Sequence, residues 1–93
     1  MLTLTTDQLA EVEELSAYFL SPEEIAIVLE VDSVDFEDAL LDETGLIFRA
    51  YRKGYLKSKV ELRKSIIALA KQGSGPAQSL ATRMVLDLEA HSL

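Results

Sequence analysis

The stretch from Arg49 to Gln72, RAYRKGYLKSKVELRKSIIALAKQ, carries eight of the chain's nine basic residues: Arg49, Arg52, Lys53, Lys57, Lys59, Arg63, Lys64 and Lys71. No Lys or Arg precedes it. Placed on a helix at about 100° per residue, these cations fall within roughly 160° of arc. Phe48, Tyr51, Tyr55, Leu62, Ile66 and Leu69 cluster on the opposite side, which predicts the core face. A second, narrower apolar stripe of Leu56, Val60 and Ile67 runs through the middle of the basic arc. A helix apolar on two sides is central to its domain or forms an interface. The second stripe is therefore the expected oligomer interface. Gly54 is the weak point of this helix, because glycine costs about 1 kcal/mol relative to alanine in a helix interior, and it marks a candidate break.

The segment before this stretch, from Met1 to Phe48, holds thirteen acidic residues. Formal charge is thus sorted along the chain, with −13 before Arg49, +7 from Arg49 to Gln72 and −1 after it. Such sorting predicts two surfaces with different partners, or one surface meant for a second copy. A length of 93 residues predicts one helical domain, 1–93, made of a helix-turn-helix-like unit at 6–43 and a basic central helix with a C-terminal helix at 46–90. There is no cysteine, which excludes disulfides and thiolate metal sites. Neither a signal-peptide pattern nor a run of about 20 apolar residues is found. The expectation is a cytoplasmic protein with no membrane partner.

Helix starts are written clearly. Thr5 with Gln8 fits a capping box and Leu4 with Leu9 a hydrophobic staple, predicting a first helix over 6–19 that buries Leu9, Val12, Leu15 and Phe19. Ser21, Pro22 and Glu24 supply an N-cap, a first-turn proline and a second capping box. A second helix should start at Pro22 and bury Ile25, Val28 and Leu29. Asp32 or Ser33 caps a third helix running to about Asp42. Gly45 reads as a stop before the basic segment, and Gly73, Ser74, Gly75 and Pro76 as the break before a final helix over 76–90. Ala77, Leu80, Ala81, Met84, Val85 and Leu88 should pack that helix back on the central one. No β-hairpin signal appears, so the fold class is all-α, with about five helices.

Two short helices joined by about three residues make a helix-turn-helix pattern, or an ordinary helical hairpin. The third helix, which would read DNA, carries Asp35, Glu37, Asp38 and Asp42 and no cation. Seated in a major groove it would set carboxylates against phosphates, whereas DNA affinity comes mainly from Lys and Arg. If the chain meets DNA, the basic helix is the better candidate.

Catalytic chemistry has little to work with. His91 is the single histidine and lies close to the C-terminus. The GSGP sequence lacks the Lys and Ser or Thr that follow the last glycine of a P-loop, and reads as a helix breaker. Paired acids such as Glu13 and Glu14 match no EF-hand spacing and read as a solvated face. Tyr51 and Tyr55 are spaced to stack on bases but lie on the expected core stripe. No catalytic residue, metal site or cofactor is expected. The basic arc has two readings, a phosphate-binding surface or a match to the N-terminal acids within the chain or on a neighbouring copy.

The order SPEEIAIVLEVD, GLIFRAYRKG and LRKSIIALAKQGSGPAQSLATRMV resembles the small terminase subunit of tailed phages and prophages, the DNA-packaging helix-turn-helix proteins. Ile25, Ala26, Tyr51, Gly54, Ala70, Gly73, Ser74, Pro76 and Ala77 carry most of the likeness, which covers roughly residues 16 to 88. The sequence departs from that family in its acidic third helix and at Glu30, where the family's turn commonly has glycine. The resemblance implies a non-enzymatic protein of the bacterial host cytoplasm. It would bind double-stranded viral DNA as a homo-oligomer and recruit the terminase large subunit. DNA contact is then expected at Arg52, Lys53, Lys57, Lys59, Arg63 and Lys64. The alternative is an acidic helical adaptor that self-associates without nucleic acid.

Overall fold

The computed structural model describes residues 1–92, with the backbone alone for residues 91 and 92. The described chain is all-α: α1 (Thr6–Ala17), α2 (Pro22–Leu29), α3 (Ser33–Ala39), α4 (Leu46–Lys71) and α5 (Gly75–Ser92). Each of the first three starts at a side chain that satisfies backbone donors the helix leaves open. The Gln8 N–H donates to Thr5 Oγ1 at 3.1 Å, and the Thr5 N–H donates to Gln8 Oε1 at 2.9 Å. Ser21 and Glu24 repeat this reciprocal box at 3.2 and 2.8 Å. Asp32, rather than Ser33, caps α3 by accepting from the Asp35 N–H at 3.0 Å.

Helix ends were less legible. α1 stops at Ala17, two residues short of the expected Phe19, because the chain turns at Phe19 with φ 62, a left-handed conformation. α2 and α4 close on the same device. The Val31 N–H donates to Ala26 O and the Glu30 N–H to Ile27 O, just as Ser74 donates to Leu69 O and Gly73 to Ala70 O. This paired bonding is a Schellman motif, whose pivot residue must take positive φ. At α4 the pivot is Gly73, with φ 97; at α2 it is Glu30, with φ 58. Glu30 thus holds, with a side chain, a backbone that glycine would adopt freely.

The chain forms two compact units, Met1–Lys59 and Val60–Leu93, whose boundary falls within α4. The first has a continuous core of Leu4, Val12, Ile25, Ala26, Leu29, Phe36 and Ile47, with Leu9, Leu15, Leu40, Ala50 and Tyr51 packed against it. α2, the Glu30 to Asp32 connection and α3 make the helix-turn-helix-like unit, with Phe36 fully buried at its centre. Two expectations fail in this unit. Val28 and Phe19 are exposed, because α2 turns Ile25, Ala26 and Leu29 inward and the turn at Phe19 lifts its ring away from the core. The buried residues of α4 are Ile47 and Gly54; of the expected stripe, Tyr51 packs on the core beside Ala50, while Phe48 and Tyr55 are half-buried.

Gly54 does not break α4. It is buried in an unbroken helix at the point where α1 comes closest. A Cβ at position 54 would fall 2.8 Å from the Glu13 carbonyl carbon and closer still to its oxygen and to Ser16 Oγ. Ser16, itself buried, turns its hydroxyl to donate to Glu13 O at 3.0 Å. Glycine is therefore required here by the approach of a neighbouring backbone.

The second unit has almost no core. Ala77 is its single buried apolar residue among the described residues, at 5% exposure. Ile66, Ala70, Ala81 and Met84 are half-buried. Leu62, Leu69, Leu80, Val85 and Leu88, all expected to pack inward, are exposed. A helix pair has one line of contact, so apolar residues spread around two helices cannot all reach it.

Candidate nucleic-acid interface

The cations of α4 have different surroundings, and these decide which are available to a phosphate. In the first unit the close approach at Gly54 brings the α1 backbone at Glu13 against α4, between Lys53 and Lys57. The Lys57 Nζ donates to Glu13 Oε2 at 3.1 Å, and the Lys53 Nζ lies 3.6 Å from Glu13 Oε1. The hydrogen bond from Lys57, with the charges of Lys53 and Lys57, holds the Glu13 carboxyl below the usual carboxylate range. Two of the six expected DNA contacts are thus already paired with an acid 44 and 40 residues away in sequence. Nothing in local sequence spacing signals that pairing.

Arg52 and Lys59 flank the Tyr55 ring, with the guanidinium carbon 5.7 Å and the Lys59 Nζ 5.9 Å from its centroid. Phe19 meets the same ring edge-on, at 5.5 Å and 84°. Tyr55 is thereby fixed as a half-buried platform between two cations, while Tyr51 packs on the core. In the second unit Lys64 pairs with Glu61 at 3.3 Å, one turn away, and both are largely solvated. Arg63 is half-buried, and Lys71 sits in the last turn of α4, where a cation complements the helix dipole. Leu56, Val60 and Ile67, the expected oligomer seam, are exposed by 41, 50 and 43%.

The acids of α3 and of the turn that follows it do more than coat a solvated surface. Asp35, Asp38 and Asp42 line one side of a cavity of about 480 Å³ in the first unit. Its other walls are Met1, Leu2, Leu4 and Leu9 from the N-terminal segment and α1, and Leu46 and Ile47 from the start of α4. Asp42 is fixed there by accepting from the Thr44 hydroxyl at 2.7 Å and the Thr44 N–H at 3.1 Å, which hold its carboxyl below the usual range. Among the described residues no group of three His, Cys, Asp or Glu side chains is gathered closely enough to hold a metal ion. The lining is mostly apolar, with three aspartates and no Lys or Arg.

No protein-family model, curated protein or solved structure matches this chain. No helix among the described residues is long and apolar enough to cross a membrane. The Gly73 to Pro76 segment is a stop followed by a start: Ser74 Oγ accepts from the Ala77 N–H at 3.4 Å, and Gln78 Nε2 donates to Ala70 O at 3.1 Å. The side chain of His91 lies outside the described residues.

Proposed function

We propose that the chain is a non-catalytic, oligomeric DNA-packaging protein similar to a phage terminase small subunit. In this reading it binds double-stranded DNA along α4 and brings it to a large packaging subunit in the bacterial host cytoplasm. The observation that supports it is the second unit. There Leu62, Ile67, Leu69, Leu80, Val85 and Leu86 stand exposed beside Arg63, Lys64 and Lys71. Burying the exposed half of each apolar side chain is worth about 1 kcal/mol, which favours assembly. The cations left at the rim suit a phosphate backbone.

Within α4, Arg52, Lys59, Arg63 and Lys64 are the principal DNA contacts. Lys53 and Lys57 contribute less, because a phosphate must displace Glu13 to reach them. With about four phosphates neutralised, the logarithm of affinity should fall against the logarithm of salt with a slope of about −3.6. Fluorescence anisotropy on a mixed-sequence duplex between low and moderate salt measures that slope. Charge reversal at Lys57 and Lys64 together should lower affinity about tenfold or more, and an unchanged affinity would sink the reading. The engagement of Lys53 and Lys57 by Glu13 favours a second reading, an adaptor whose acidic and basic surfaces meet only protein. Light scattering separates the two, since an adaptor forms the same oligomer with or without DNA.

A further inference from the structure

The acidic cavity and the basic second unit are complementary in both of their components. The cavity offers apolar lining at Leu2, Leu4, Leu9 and Ile47, together with exposed carboxylates at Asp35 and Asp38. Those two acids stand one helical turn apart on α3, and no Lys or Arg is among the residues lining the cavity. A hard cation is a poor occupant, since no three acids converge on one point among the described residues. DNA is repelled by it. What fits is an amphipathic helix with an apolar seam bordered by Lys or Arg.

This chain carries such a helix. In the second unit Val60 and Ile67 lie two turns apart on one exposed face of α4. Lys64 stands between them and Lys71 one turn beyond Ile67, both exposed. We propose that the α3 cavity of one copy docks the Val60 to Lys71 face of α4 of a second copy. The contact is heterologous, each copy giving a cavity and a helix, so repetition builds a ring or a filament rather than a closed pair. Asp35 and Asp38 then occupy cations that a phosphate backbone would otherwise take. Self-docking and DNA binding therefore compete for Lys64. The competition rests on the DNA reading above; the docking does not.

Two variants test this, each disabling one side of the contact. Asp35→Asn/Asp38→Asn spoils the cavity without giving it a charge that the other variant's helix could pair with, and Lys64→Glu/Lys71→Glu spoils the helix. Light scattering at low salt should show wild-type protein associating as its concentration rises, and each variant alone associating at least tenfold more weakly. An equal mixture should form a one-to-one heterodimer that grows no further, because one intact cavity meets one intact helix. Variants that assemble like wild type, or a mixture that stays dissociated, would overturn the proposal. Helical circular dichroism checks each variant. If either is unfolded, Asp38→Asn and Lys71→Gln replace them, with about threefold weakening expected of each.

The DNA arm uses the cavity-disabled variant bound to a mixed duplex. An excess of Lys64→Glu/Lys71→Glu, which keeps the cavity, should weaken that DNA binding more than an equal excess of the same variant with Asp35→Asn/Asp38→Asn added, which can take DNA but cannot dock. Heterodimer formation without any DNA binding would retain the docking and reject the packaging reading. DNA binding that responds alike to both competitors would retain the packaging reading and reject the docking.

Discussion

The two units are built from the same kind of helix and dispose of their apolar side chains in opposite ways. The first folds three short helices and the start of α4 around Val12, Ile25, Ala26 and Phe36, all at 0% exposure. The second, α5 with the rest of α4, buries Ala77 and leaves its leucines and valines outside. Composition does not explain the difference, since both are rich in Leu, Ile and Val. Helix number does: three helices enclose a volume, whereas two share a single line of contact. The first unit is therefore a structure in its own right. The second presents most of its large apolar side chains to solvent.

The sharpest way to break this comparison is Phe36→Ala. Emptying a fully buried aromatic site should lower the unfolding free energy by about 4 kcal/mol in a denaturant titration. Leu86→Ala in dilute protein should change it by less than about 0.5 kcal/mol, because an exposed side chain has little to lose. Equal effects would mean the second unit has a core after all. Gly54→Ala comes next, at about 3 kcal/mol, because the added carbon collides with a peptide group that cannot rotate aside. A loss below about 1 kcal/mol would deny the close approach of α1 and α4.

The two helix ends give a smaller and paired effect. Glu30→Gly should stabilise by about 1 kcal/mol, since it relieves a left-handed backbone and removes an anion from a helix C-terminus. Gly73→Ala should destabilise by about the same amount, as φ 97 is strained for any side chain. Thermal melts of both read the pair. The smallest effect is at Glu13. Its carboxyl titrates lower in the folded protein than in the unfolded chain, so it contributes stability above the unfolded value. That contribution disappears as pH falls through the folded value. Glu13→Gln should remove about 0.5 kcal/mol at neutral pH and nothing at strongly acidic pH, as expected of a partly solvated pair.

Much of the fold was legible in the sequence where the physics is local. Thr5, Ser21 and Pro22 mark helix starts because a cap needs only the next three residues. Gly73 marks an end for the same reason. What failed was non-local. The helical wheel puts the core of α4 on its aromatic side, where Tyr51 does pack on the core, but the deepest burial is at Ile47 and Gly54. Gly54 looked like a flaw because its intrinsic cost is visible in sequence and the neighbour that requires it is not. Of the candidate site, the basic face was legible as a charge pattern. The engagement of Lys53 and Lys57 by Glu13 was not, and neither was the apolar lining that accompanies Asp35 and Asp38. Both depend on which distant segments the fold brings together.

The joint at Gly54 also bears on how a lineage of such chains can change. Where two side chains meet, a larger one on one helix can be answered by a smaller one opposite, and the pair drifts together. At Gly54 a smaller residue at Ser16 could remove one of the opposing groups, but the other is the peptide unit of Glu13, which every amino acid supplies unchanged. No second substitution answers the first. Descendants of this sequence should therefore hold glycine at this position while the lysines on either side of it wander, and an alignment of them would show an isolated fixed column with no covarying partner.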